Sequence, residues 1–164
     1  MMKRLILVMM LAVLCLGASA QTKQGYSSVG VTTGYAFDQD NVTFGVDYRI
    51  CLFDNVRFAP SLTYLVKNDG LSAWNIDMNA HYIFKLSNQF GFYPLGGLDI
   101  AFWKYSVGDG KWSYNDNQTR LGLNVGMGGE VYALQDLTVG LELKYLVTED
   151  HSQPMFGVRI GYNF

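Results

Sequence analysis

Cysteine, histidine and proline are all scarce in this chain: two, two and three of its 164 residues. Cys15 lies in the first twenty residues, which leaves Cys51 alone in the remainder and excludes a disulfide framework. Cys51 then reads as a small, inert filler near a turn. With only His81 and His151 beside it, no spacing of His, Cys, Asp or Glu resembles a metal site, and no cofactor is called for. Charge is also sparse. Charged residues make up 16% of the chain and its net charge is −2, which gives no support to nucleic-acid binding. Long apolar runs are nearly absent. Leu5 to Gly17 is the exception, preceded by Lys3 and Arg4 and followed by Ala18-Ser19-Ala20. This is the layout of a secretory signal peptide over residues 1–20, cleaved before Gln21, and its apolar stretch is too short to span a bilayer. Leu14 is too bulky before Cys15 for a lipoprotein signal, so no lipid anchor is expected. Residues 21–164 are enough for one domain.

What is abundant is alternation. Past Gln21 the residues sort into two columns with a period of two, the mark of β-strands whose faces meet different surroundings. Turn signals delimit eight strands, near 27–37, 42–50, 56–66, 74–86, 90–103, 120–132, 137–147 and 155–164. One column is large and apolar, with Val29, Val31, Phe44, Val46, Leu62, Ile76, Leu98, Leu123, Val125, Leu141 and Leu143 among its members, and no charge falls in it. The other holds Asp47, Arg49, Arg57, Asp77, Lys85, Asp99, Arg120, Glu130, Glu142, Lys144 and Arg159, together with most strand glycines. Three connections are short (51–55, 87–89 and 133–136) and alternate with the others, the rhythm of a membrane-threading meander.

The glycines decide which column faces outward. On the outside of a soluble barrel they would weaken the strands and cover nothing. In the cramped lumen of a narrow membrane barrel they make room for Arg, Tyr93, Trp103 and Tyr132. Lipid also explains the charge-free column, since Lys or Arg at the bilayer midplane costs roughly 2–4 kcal/mol. The expected fold is therefore an all-β, eight-stranded antiparallel up-and-down transmembrane β-barrel. Closure leaves no strand edge, and Tyr and Trp near strand ends (Tyr26, Tyr35, Tyr48, Trp74, Tyr105, Tyr132, Tyr145, Tyr162) suit interfacial girdles.

At this point the chain resembles the small eight-stranded outer-membrane β-barrel proteins, of the OmpX and OmpA-transmembrane-domain type. The resemblance is carried by Tyr93-Pro94-Leu95-Gly96-Gly97-Leu98, by Gly122 to Glu130 and by the aromatic end at Phe164. It implies the outer membrane of a diderm, Gram-negative bacterium, with outer-membrane lipids and lipopolysaccharide as surroundings. It also implies the barrel-assembly machinery and periplasmic chaperones as partners in biogenesis, with Phe156, Val158, Ile160, Tyr162 and Phe164 as the assembly signal. The chain stops at Phe164 without the peptidoglycan-binding domain of the OmpA pattern, so cell-wall anchoring is not carried over.

Three candidate sites follow. The eleven inward charges form either a static ion-pair plug or the selectivity element of a narrow passive, porin-like channel. Eight strands enclose little but side chains, and buried charges need partners, which favours the plug. Glu130, Glu142, Lys144, Arg159 and Arg120 on neighbouring strands are candidates to pair, and His81 shares a face with Asp77. The connection 104–119 carries Asp109-Gly110, a hairpin signal, with Trp112 and Tyr114, and reads as a protruding ribbon that meets an extracellular ligand or rests on the membrane interface. His151-Ser152 is the remaining trace of a lipid- or lipopolysaccharide-modifying enzyme. Adjacency in sequence is poor evidence for a catalytic pair, because such pairs are defined by geometry. Two prolines, Pro60 and Pro94, fall mid-strand, where a bulge or a locally open ladder is expected. The expectation is a monomeric, non-enzymatic barrel serving envelope integrity or surface interaction.

Overall fold

Alternation of branched or aromatic residues with small or polar ones produces nine stretches of β-strand among the described residues. The computed structural model describes residues 24–38, 40–68, 71–107, 114–134, 136–148 and 152–164. The signal-peptide reading of residues 1–20 lies outside them. The strands are β1 (Ser27–Ala36), β2 (Asn41–Phe53), β3 (Val56–Asn68), β4 (Leu71–Tyr82), β5 (Phe84–Lys85), β6 (Phe90–Val107), β7 (Tyr114–Leu134), β8 (Leu137–Val147) and β9 (Gln153–Asn163). Apart from β4 and β5, neighbours in the chain pair antiparallel, β1 also pairs with β9, and β4 also pairs with β6, so the ring closes. β4 and β5 are one stave interrupted at Ile83, giving eight staves and no free edge.

The two columns become the two walls. Val31, Phe44, Val46, Leu98, Leu123, Val125, Leu141, Leu143 and Ile160 are exposed on the outside, while Asp47, Arg49, Asn75, Asp77, Asp99, Glu130 and Arg159 are buried within. In water this would be inside-out. In a bilayer the outer wall meets acyl chains, and closure lets the ladder groups pair within the ring except where two prolines interrupt it.

The first described residues from Gln24, the C-terminal Phe164 and three tight turns lie at one end. Asn55 completes the β2–β3 turn with φ at 67°, a left-handed conformation that Asn tolerates. Ahead of β6, the Ser87 hydroxyl accepts the amides of Gln89 and Phe90 at 3.2 and 3.1 Å. At the opposite end β6 and β7 run for 18 and 21 residues, well beyond the about 9–11 needed to cross a bilayer. Their pairing continues to Val107 opposite Tyr114, so this hairpin is a longer ribbon than the segments 90–103 and 120–132 read from sequence. The β3–β4 connection shrinks to residues 69–70 for the same reason: the ladder continues past the last clear alternation.

Both mid-strand prolines open the ladder on one side without a bulge. β2 and β3 pair from Thr43/Leu65 to Asp47/Ser61 and resume at Ile50/Phe58 in the same register, skipping Pro60. β4 pairs with β6 as far as His81/Leu95, and β5 resumes at Phe84/Phe92, skipping Pro94. On their other sides Pro60 faces Met78 and Pro94 faces Met127 in unbroken pairing. An antiparallel residue directs its N–H and C=O to one neighbour, so a missing N–H opens only that side. The break between β4 and β5 is thus written by Pro94. Pro94→Val should supply the missing donor and stabilise the barrel by about 0.5–1.5 kcal/mol. Hydrogen exchange should then show the new amide at position 94 protected. Free exchange there would mean that another cause holds the staves apart.

Candidate functional site

The inner wall builds three layers of different chemistry. Nearest the termini-bearing end, Glu130 on β7 is fully buried and takes both carboxylate oxygens to Arg57 Nη1 at 3.0 Å. The Tyr132 hydroxyl donates to Glu130 Oε1 at 2.7 Å, and Arg49 Nη1 lies 3.5 Å from Oε2. Arg49 reaches on to Glu142 Oε2 at 3.3 Å, and Tyr93 donates to that same oxygen at 3.0 Å. Tyr93 is the hub: Arg49 and Arg57 sit 5.5 and 4.8 Å from its ring centroid, and His81 stacks on it at 4.5 Å. Across the lumen Arg159 clamps Asp47, with Nε 2.8 Å from Oδ2 and Nη2 2.6 Å from Oδ1, and Nη2 also reaches the Ser28 hydroxyl at 3.1 Å.

Glycine makes these placements possible. Gly30 and Gly161 face each other across β1 and β9. A Cβ on Gly30 would come within 2.6 Å of the Arg159 guanidinium, and one on Gly161 would overlap it. Gly128, opposite Tyr93, leaves the place its ring occupies.

The middle layer is formed by Asn75, Asp77 and Asn79 on β4, Asp99 on β6, Asn124 on β7 and Lys144 on β8. Lys144 Nζ and the Ser61 hydroxyl donate to Asp77 Oδ2 at 3.0 and 2.9 Å. Asn124 Nδ2 donates to Asp77 Oδ1 at 2.6 Å and to Asn79 Oδ1 at 3.1 Å, and Asn75 Nδ2 to Asp99 Oδ1 at 3.0 Å. Towards the opposite end the lumen turns apolar, with Ala36, Leu65, Ala73, Ala101, Trp103, Leu146 and Met155 packed into one buried cluster. Between the charged layers and β1–β3 lies an internal cavity of about 60 Å³, bordered by Asp47, Arg49, His81, Glu142, Lys144 and Arg159. That is room for a few waters.

Nine of the eleven inward charges therefore meet inside: Asp47, Arg49, Arg57, Asp77, Asp99, Glu130, Glu142, Lys144 and Arg159. Arg159, expected within ion-pair reach of Glu142, Glu130 or Asp47, meets Asp47, while the other pairs differ from those the neighbouring-strand reading suggested. Glu130 joins Arg57 and Arg49, Glu142 joins Arg49, Lys144 joins Asp77 and Arg159 joins Asp47. Long side chains cross the lumen, so ladder adjacency does not set their partners. Arg120 is half-buried towards the opposite end and donates to Gln118. Lys85 corrects the sequence reading. It has inward parity opposite Gly91, but at the mouth of the barrel its side chain is exposed.

His81 also departs from expectation. Its Nδ1 receives Arg57 Nε at 3.3 Å, whereas four residues along a strand put Asp77 about 13 Å away. Tyr132 is buried against Glu130 and is not a girdle residue. The Ser152 hydroxyl closes the β8–β9 connection on itself, accepting Thr148 N at 3.1 Å and donating to Thr148 O at 2.8 Å. His151 lies outside the described residues, as do Asp109, Gly110 and Trp112; Tyr114 is described as the first residue of β7. Cys51 is buried and not in a disulfide. Among the described residues no three His, Cys, Asp or Glu side chains group to hold a metal ion. The apolar layer is what sequence reasoning missed. Its trace was an inward column that changes from polar to apolar near the strand ends.

Comparison with known proteins agrees with this architecture. A family model described as an outer membrane protein beta-barrel domain matches residues 6–164. Among solved structures, the N-terminal β-barrel domain of Pseudomonas aeruginosa OprF is similar at a TM-score of 0.65 and 18% identity, over 86% of this chain and 98% of that one. Ail, the attachment invasion locus protein of Yersinia pestis, is similar at 0.62 and 15%, over 86% and 99%. The outer-membrane enzyme PagL is similar at 0.50 and 11%, over 82% and 98%. No curated protein matches the sequence. At these identities the structural likeness speaks for the fold alone.

Proposed function

Since this chain belongs to the outer membrane protein β-barrel domain family, we propose that it is a non-enzymatic barrel of the outer membrane, closed to solutes, whose connections away from the termini touch other molecules. The observation that carries this reading is the filled lumen: buried ion pairs stacked under an apolar cluster around Trp103. A wall this well plugged serves as a scaffold, and the element that extends past the membrane is the β6–β7 ribbon. Surface recognition is the natural use of loops held on a rigid frame. The attachment protein Ail has the same fold, and that likeness is compatible with the reading.

In this arrangement the termini and tight turns are periplasmic and the ribbon is extracellular. A bilayer-impermeant maleimide should then label Cys placed at Asp109 on intact cells and miss Cys placed at Asn88, with native Cys51 silent because it is buried. Labelling of position 88 from outside would reverse the orientation. In pull-downs from host or envelope extracts, the intact protein should capture a component that a variant lacking residues 108–113 does not. Equal capture by both variants would remove the ribbon from the proposal. Purified protein in planar bilayers should show negligible conductance, whereas stable steps of porin size would replace this reading with the passive pore.

A further inference from the structure

The ladder gap at Pro60 and the internal cavity meet in the same stretch of wall. Just ahead of β1, Gly25 and Tyr26 exchange backbone hydrogen bonds with Cys51. Direction alternates along an antiparallel strand, so Arg49 and Asp47 also turn towards β1 while Tyr48 turns towards β3. Opposite Tyr48 stands Pro60, which has no N–H to give, and the pairing skips this position. The Tyr48 carbonyl therefore lacks the amide that would close the ladder. A carbonyl left unpaired within a membrane wall is costly, because bulk water does not reach it.

The outer side is a poor source of a donor. There the gap opens on a hollow of about 700 Å³ whose lining includes Val29, Val31, Val46, Leu62 and Ile160. The Tyr48 hydroxyl already donates to Ser27 at 3.1 Å. The inner side differs. Asp47 and Arg49, which flank Tyr48, and Ala59 and Ser61, which flank Pro60, all border the internal cavity of about 60 Å³. His81 borders it too and is 2% exposed. Its Nδ1 receives Arg57 Nε at 3.3 Å, which leaves the ring neutral with its proton on Nε2. That Nε2 has no hydrogen-bond partner among the described residues.

An unspent acceptor and an unspent donor thus adjoin one small polar cavity. A cation would suit the carbonyl and not the imidazole N–H, and an anion the reverse. The bordering charges leave no surplus for either, because Arg49 pairs with Glu142, Arg159 with Asp47 and Lys144 with Asp77. Water both donates and accepts, and the cavity has room for a few molecules.

We propose that this cavity is a structural water site, in which ordered water donates to the Tyr48 carbonyl, accepts from His81 Nε2 and closes the wall where Pro60 breaks it. The site stands whatever the ribbon recognises. Pro94 supplies the control. The carbonyl it leaves open, on Tyr82, is flanked by Ile83, Tyr93 and Leu95, which pack in one apolar cluster. Each proline is changed to valine in the full barrel, refolded in detergent and unfolded in urea. Pro94→Val should multiply the folded-to-unfolded ratio roughly two- to tenfold, the worth of one new hydrogen bond. Pro60→Val exchanges a water's hydrogen bond for an amide's and should change that ratio less than about twofold. Wild-type crystals that resolve internal waters should show one within hydrogen-bond distance of Tyr48 O. Under xenon pressure the cavity should stay free of xenon, which enters dry apolar cavities. Equal gains from the two valines, a xenon peak in the cavity, or internal water that misses the Tyr48 carbonyl would overturn the proposal. Should either variant fail to fold, the wild-type crystals decide.

Discussion

Arg159→Met should leave a barrel that inserts but unfolds at distinctly lower urea. Arg159 closes three hydrogen bonds of 2.6–2.9 Å on Asp47, and both side chains are buried. Removing the guanidinium strands the carboxylate in a confined, low-dielectric lumen, which costs about 3–5 kcal/mol for a buried pair broken on one side. Arg49 Nε, 3.3 Å from Asp47 Oδ1, remains as a weaker partner and should hold the loss near the lower figure. Adding Asp47→Asn to Arg159→Met should recover part of the loss, because the double variant no longer buries the unpaired charge. A double variant as unstable as the sum of the two single ones would mean that the pair is not coupled and the network is not a plug.

Leu141→Arg should impair the barrel through the membrane alone. Leu141 lies midway along β8, opposite Val158, and is 53% exposed on the outer wall. An arginine there costs roughly 2–4 kcal/mol at the bilayer midplane. In a detergent micelle the side chain reaches water easily, so folding yield and unfolding midpoint should drop in lipid vesicles and change little in detergent. Gly140→Arg, one residue away, separates lipid transfer from packing. A Cβ at Gly140 meets Gly129 O at 3.4 Å and Arg159 Cβ at 3.9 Å, room for a methyl group but not for a second arginine beside Arg159. That variant should fail equally in vesicles and micelles. Equal failure of Leu141→Arg in both would show that residue 141 is not lipid-facing.

The contrast between these two neighbours was legible in the sequence, because a period of two assigns residues 140 and 141 to opposite walls whatever the tertiary context. So was the reason that glycine belongs inside: Gly128 and Gly161 stand where Tyr93 and Arg159 need volume. The fate of Lys85 was not legible. Parity places it inward, but only the height of the wall shows that position 85 lies at the mouth, where a long side chain finds water. The partner of Glu142 was hidden for a related reason: it crosses the lumen to Arg49, 93 residues away in the chain, whereas His81 meets Arg57 directly across β3 and β4.

By itself, then, the sequence determined that eight staves close into a ring with a charge-free outer wall, because each of those facts follows from a local period and from what lipid tolerates. The stacking of the interior was decided only by the tertiary structure. Register between strands fixes the height at which each inward residue stands, and so which of them share a layer. That register places Ala36, Leu65, Trp103 and Leu146 together as an apolar layer, gathers three arginines with three carboxylates around Tyr93, and sets Asp77 opposite Asp99 with Lys144 paired to Asp77. Such heights are sums over every turn and ladder in the barrel, and no single strand carries them.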